Sequence, residues 1–261
     1  MDGKIENVKI SGVDFPKMNR QQALSYISEA LNGRKAIKIF TPNSEILYKA
    51  SQEPNLISLL SEADLLLPDG IGVIFASHIL QDPLPCRITG IDTAEYILSE
   101  AERMALSVYL LGGMSGVAEK AAHELTKKHP RLRIVGAHHG YFRSQEEKRQ
   151  VVGKIQAASP QILFVCLGFP TQERFISDTL SKLPSVRLAM GLGGCLDVWS
   201  GSIRRAPKII QRVGLEWLYR ILSAPKRIKR LPYLLLFGLI TLRAAAKSSS
   251  AVHTNKKREE L

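Results

Sequence analysis

The chain is poor in residues that build covalent or metal-held frameworks. Its 261 residues include three cysteines, Cys86, Cys166 and Cys195, far apart and odd in number. No pair has the spacing of a zinc site or a redox motif, so buried thiols in a reducing cytosol are expected instead. There is no Asp-x-Asp pair, no complete Gly-x-Gly-x-x-Gly fingerprint and no Walker lysine pattern. Long apolar runs are also missing. Residues 231–242 make a stretch of 12, against roughly 20 needed to span a bilayer, so this segment is expected to lie on or dip into a membrane without crossing it. Residues 1–10 are charged and carry no apolar signal core.

Positive charge is abundant and unevenly spread. The formal net charge is +12. From residue 203 onward there are fourteen Lys/Arg against three Asp/Glu, a net of +11, which leaves +1 for the first 202 residues. The basic end also holds Trp217, Tyr219, Tyr233 and the apolar run 234–242. Basic and apolar residues together fit an anionic membrane surface. A nucleic-acid-binding face is the alternative for the charge alone, but it gains little from a Leu/Phe run. Three parts are therefore expected: a body over 1–202, a membrane-associating helical appendage over 203–246, and a disordered tail over 247–261. Off the membrane, self-association would cover the same apolar surface.

Within the body, short apolar runs alternate with segments of helical periodicity. Strands are expected at 36–40, 63–67, 107–111, 132–137, 161–167 and 186–190. Helices are expected at 44–51, 54–62, 71–80 and 91–105, through 128, at about 145–157 and to 182. Repeated strand–loop–helix units of this length imply an α/β fold, a Rossmann-like parallel sheet with helices on both faces. Pro207, Pro225 and Pro232 are expected to divide the basic end into short helices.

In such sheets ligands bind at the carboxyl ends of the strands, so the loops there are where chemistry is sought. Asp69, between Pro68 and Gly70, can serve as a general base or as the N-cap of the helix that follows, and position alone favours the cap. Thr41 and Asn43 offer a hydroxyl and an amide to sugar hydroxyls. They read equally well as a turn before a helix capped by Ser44. Gly112-Gly113 and the glycines at 191–194 let backbone N–H groups approach an anion, although a tight turn accounts for each alone. His138-His139 has no acidic or cysteine partner at ligand spacing and reads as a loop. Arg87 reads as a surface or ion-pair residue, and Gln172-Glu173 as the start of a helix. Arg227 and Arg230 share a helical face, with Arg220 near it, and such a set suits a diphosphate. No metal or other cofactor is expected. Were the substrate a sugar nucleotide, cations of the chain would have to stabilise the departing diphosphate.

Eight motifs occur in one order: Thr41-Pro42-Asn43-Ser44-Glu45, Leu67-Pro68-Asp69-Gly70-Ile71-Gly72, Arg87-Ile88-Thr89-Gly90, His139-Gly140-Tyr141-Phe142, Gly168-Phe169-Pro170-Thr171-Gln172-Glu173, Gly193-Gly194, Arg205-Ala206-Pro207 and Gly214-Leu215-Glu216-Trp217-Leu218-Tyr219-Arg220. Over roughly residues 8 to 231 the chain closely resembles the WecG/TagA/CpsF glycosyltransferase family. The resemblance implies inverting transfer of N-acetylmannosamine from a UDP-sugar to undecaprenyl-diphosphate-linked N-acetylglucosamine, at the cytoplasmic face of the membrane. The product would be a teichoic acid linkage unit or a related surface polysaccharide.

The resemblance makes Asp69 the base, with Thr41 and Asn43 beside it and Arg87 and Gln172 as further active-site positions. Arg220, Arg227 and Arg230 would hold diphosphate as the appendage closes. Gly112, Gly113, Tyr141, Gly168, Gly193 and Gly194 would receive the UDP. Thr171 departs from the lysine often found at its place. Two alternatives stand beside this reading. One is the same fold acting on UDP-N-acetylmannosaminuronate or another UDP-hexose. The other is a non-catalytic protein that binds UDP-sugar or nucleic acid.

Overall fold

The computed structural model describes residues 5–222 and 231–259. It opens with an antiparallel hairpin, β1 (Asn7–Ile10) and β2 (Val13–Pro16), in which Ile10 faces Val13. Ser11 and Gly12 turn the chain with φ of 50° and 85°, the doubly left-handed turn whose twist matches that of paired strands. Val8, Ile10, Val13 and Phe15 alternate into the core. Next comes α1 (Arg20–Asn32), started by a capping box in which Asn19 and Gln22 exchange side-chain bonds. The sequence reading expected neither element.

The expected alternation then follows: β3 (Ile37–Phe40), α2 (Ser44–Gln52), α3 (Pro54–Ser61), β4 (Leu65–Leu66), α4 (Ile71–Ile79) and α5 (Gly90–Arg103). It continues with β5 (Ser107–Gly112), α6 (Val117–Lys128), β6 (Arg133–His138), α7 (Gln145–Ala158) and β7 (Ile162–Cys166). After α8 (Thr171–Thr179) and a 3-10 turn come β8 (Leu188–Gly191) and α9 (Cys195–Trp199). Six strands form one sheet in the order β4-β3-β8-β7-β5-β6, every neighbour parallel.

Strand side chains divide between two cores by the period of two. Val108 and Leu110 of β5, Phe164 of β7 and Met190 of β8 pack on one face with α1, α5, α6 and α9. Tyr109, Leu111, Val165 and Ala189 pack on the other with the hairpin and α2, α3, α4, α7 and α8. Both faces are covered, as a parallel sheet requires. Cys166 is one of the core residues, and burial pushes its thiol up to about 12. From β5 the chain moves outward to β6, and from the neighbouring β7 it moves the opposite way to β8. The gap between β5 and β7 is therefore a switch point, where open α/β sheets place ligands.

The basic end departs from the expected series of short helices. α10 (Lys208–Arg212) and α11 (Glu216–Leu222) are short, but α12 (Leu231–Glu259) has 29 residues and continues through the region read as a tail. Pro232 occupies the first turn of α12, where a missing N–H breaks no helical bond, so it opens the helix and does not interrupt it. Beyond it, Ala244, Ala245 and Ala246 favour continuation. α12 packs on α2 and α4, and Phe237 joins the core beneath them. Tyr233 meets Tyr48 with ring centroids 5.8 Å apart, and Lys49 Nζ lies 5.0 Å from the Tyr233 ring centre. No helix among the described residues is long and apolar enough to cross a membrane.

Candidate active site

The loops after β3 and β4 open into a cavity of about 660 Å³ between α2, α4 and α12. Thr41, Asn43, Asp69 and Arg87 all line it, so four of the expected site residues meet there. The rest of the lining is largely apolar and includes Phe75 and Ile79 of α4, Trp217 of α11, and Leu234, Leu235 and Phe237 of α12.

Local structure decides two of the alternatives the sequence left open. Asn43, not Ser44, caps α2, its side chain accepting from Ile46 N at 3.1 Å. Ser44 is buried, and a Cβ on Gly72 would stand 2.2 Å from its Oγ, so glycine lets α4 approach α2 closely. Asp69 does not cap α4. The cap is Gly70, with φ of 140° and no side-chain bond to the helix. That left-handed geometry turns the chain directly after Asp69. The Asp69 N–H donates to Pro42 O at 3.3 Å, tying the two loops together. Thr41, nearly buried, donates its hydroxyl to Gly191 O at 3.2 Å.

The other expected positions lie further along the same sheet edge. Gly112 ends β5 and Gly113 follows it, Gly168 follows β7, Gly193 and Gly194 follow β8, and Tyr141 follows β6 with its side chain exposed. A Cβ on Gly112 would lie 2.3 Å from Cys166 O, at φ of +135°, so only glycine fits where β5 meets β7. Gly113 N–H donates to Cys166 O and Gly140 N–H to Gly113 O, which ties three loops together. These residues are outside the cavity lining. Gln172 is outside it too. It is buried, and its Oε1 accepts from Gly168 N at 3.2 Å and Gly193 N at 2.9 Å.

Residues 8–251 match the family described as the glycosyl transferase WecG/TagA/CpsF family. The N-acetylglucosaminyldiphosphoundecaprenol N-acetyl-beta-D-mannosaminyltransferase of Bacillus spizizenii is 36% identical over 223 residues, 85% of each chain. The protein of the same name from Staphylococcus aureus strain MRSA252 is 34% identical over 246 residues, 94% of this chain and 95% of its own. That from Bacillus subtilis strain 168 is 31% identical over 235 residues, 90% of each chain. The chain belongs to the WecG/TagA/CpsF glycosyltransferase family.

In this member the basic end is fastened to the body by two arginines. Arg87 donates to Gln211 O, in the last turn of α10, at 2.8 Å. It thus anchors that helix as well as lining the cavity. Arg205 reaches Asp92 of α5 at 2.6 Å and Glu216 of α11 at 3.8 Å. Burial alone would raise the Asp92 carboxyl. Bonds from Thr89 and Arg205 outweigh it and hold Asp92 below its ordinary range. Arg220 falls within α11, but its guanidinium, Arg227 and Arg230 lie outside the described residues.

Sequence reasoning missed the apolar cavity wall, the Arg205–Asp92 pair and the burial of Glu173. The one signal for Arg205 was its place in a recurring Arg-Ala-Pro motif. Gln172 and Glu173 do start a helix, as expected, but capping does not account for them, because the N-cap of α8 is Pro170 with no side-chain bond and Gln172 reaches across to another strand's loop.

Proposed function

We propose that the chain transfers N-acetylmannosamine from UDP-N-acetylmannosamine to N-acetylglucosaminyl-diphosphoundecaprenol, as the names of its relatives describe for them. One observation carries the reading: Asp69, Thr41, Asn43 and Arg87 line the same cavity as the apolar side chains of Phe75, Ile79, Leu234 and Phe237. A polar sugar joined to a lipid fits a lining of both kinds.

In this reading the Asp69 carboxylate takes the proton of the acceptor hydroxyl as that oxygen attacks the sugar's anomeric carbon. The bond from that carbon to the UDP oxygen breaks on the opposite side, so configuration inverts and a β linkage results. Thr41 and Asn43 orient the acceptor or donor sugar. The glycine loops at the β5–β7 switch point, shaped by their internal bonds from Gly113, Gly168 and Gly193 N–H, receive the diphosphate through their remaining N–H groups, with Arg220, Arg227 and Arg230 as the neutralising charges.

The membrane role of the basic end belongs to the same proposal. Leu235, Leu239 and Leu242 are exposed and share one stripe of α12, turned away from buried Phe237 and Thr241. Phe75 of α4 and Ile209 of α10 are also exposed. A basic, apolar surface of this kind suits peripheral binding to the inner face of an anionic bilayer, where the lipid acceptor is held.

The deciding experiment measures UDP release from UDP-N-acetylmannosamine with a short-chain lipid-diphosphate-N-acetylglucosamine acceptor. Acceptor-dependent release is expected, and its absence would overturn the proposal. Product mass with UDP-N-acetylmannosaminuronate and UDP-glucose in the donor's place identifies the sugar that the chain prefers.

A further inference from the structure

Glu173 is a carboxylic acid in a place that does not suit one. It is 1% exposed. Burial pushes it up to about 7, against a hydrogen bond from Gln172 that lowers it. Oε1 accepts from Gln172 Nε2 at 2.9 Å, while Oε2 is buried with no hydrogen-bond partner. Burying such a group costs stability, so its presence calls for a compensating task.

That task follows from what Gln172 does. A carboxamide oxygen has two lone pairs, and both of Gln172's are taken, one by Gly168 N and one by Gly193 N. Those N–H groups belong to loops on two different strands, β7 and β8. If the amide turned over, its NH₂ would face two donors and both bonds would be lost. Glu173 Oε1 is an acceptor, and of the two ends of the amide only the NH₂ can donate to it. The acid therefore selects the orientation that holds the loops together. Gln172 also lies tight against β8, where a Cβ on Gly191 would approach its Nε2 to 2.9 Å. The Gly191 carbonyl in turn takes the Thr41 hydroxyl, so the network extends to the cavity.

We propose that Glu173 is a positioning residue for the donor: by fixing the Gln172 amide it holds the Gly168 and Gly193 loops at the spacing that UDP binding requires. This rests on the reading of those loops as the donor's cradle. Glu173 acts through Gln172 and touches no substrate.

The test uses the full chain with Glu173→Gln, which keeps an acceptor oxygen, and Glu173→Met, which fills the volume without one. Three quantities are read: the UDP Kd by calorimetry, amide exchange at Gly168 and Gly193 without ligand, and the KM values of donor and acceptor. E173M is expected to raise the UDP Kd and donor KM about tenfold, the loss of roughly one well-made hydrogen bond, and to speed exchange at both glycines. Its acceptor KM and the whole E173Q profile stay within about twofold of the unaltered chain. Unchanged Kd and exchange in E173M would overturn the proposal. So would a chain that folds as E173Q but neither as E173M nor as Glu173→Leu, since Glu173 would then serve stability alone. An unaltered chain that fails to bind UDP would instead sink the cradle reading, and with it any role for Glu173 in the reaction.

Discussion

The carboxyl edge of the sheet has two halves made of different material. At β4 and β3 the edge presents side chains: Thr41, Asn43 and Asp69, with Arg87 nearby, under a roof of apolar helix. At β7, β5 and β6 it presents backbone, with Gly112, Gly113 and Gly168 all at positive φ. A side chain can take a proton, so the first half is where a substitution removes chemistry and leaves shape. Backbone N–H groups can only be placed, so the second half is where a substitution removes shape.

The largest expected effect tests the first half. Asp69→Asn should lower kcat by about a thousandfold, in the range for loss of a general base, with UDP affinity unchanged. Turnover within about twofold of the unaltered chain would erase the distinction between the halves and revive a non-catalytic reading. The second half is tested by Gly112→Ala. Its Cβ would lie 2.3 Å from Cys166 O and 2.6 Å from that residue's carbonyl carbon, at an unfavourable φ. A stability loss of about 3 kcal/mol or more in thermal melts is expected. Gly168→Ala, with positive φ but nothing within 4 Å of the new Cβ, should lose only about 1 kcal/mol. Equal losses would mean that close approach is not what shapes this half.

A third prediction concerns the acid beside the junction. Glu173 is raised in the folded chain to about 7 from an ordinary 4.5. A raised carboxyl binds its proton more tightly when folded. Its contribution is therefore complete below about pH 4.5 and is lost as pH rises through about 7, amounting to up to about 3 kcal/mol. Urea melts from pH 5 to 8 should show the unaltered chain losing stability relative to E173Q; parallel curves would refute the shift. The smallest effect sharpens the role of Asn43. Asn43→Ala removes the α2 cap and should cost about 1 kcal/mol. A drop in activity far beyond that fraction would place the amide on the sugar as well.

The sheet was legible because buried parallel strands are apolar on both faces, as in Val108–Leu111 and Leu163–Val165. The opening hairpin was not, since each strand has four residues and Ser-Gly is a weaker turn signal than Asn-Gly. Asp69, Thr41 and Asn43 could be picked out because they follow strands, but which residue caps which helix shows only in the structure. The cavity wall was hidden because Phe75 or Phe237 looks the same in sequence whether it fills a core or lines a space. Glu173 was hidden for a related reason: its burial is produced by elements distant in the chain. The prolines misled at α12, because a proline that opens a helix and one that breaks it differ only in where the helix begins.

The cavity's roof has a consequence for how the protein comes into being. The sheet is complete at Gly191, while the cavity that Asp69 lines also takes lining residues from α11 and α12, among them Trp217, Leu234 and Thr241. A chain leaving the ribosome amino end first can assemble its sheet before the segment that closes the cavity exists. What is synthesised after the sheet is the part that turns an open sheet edge into an enclosed site.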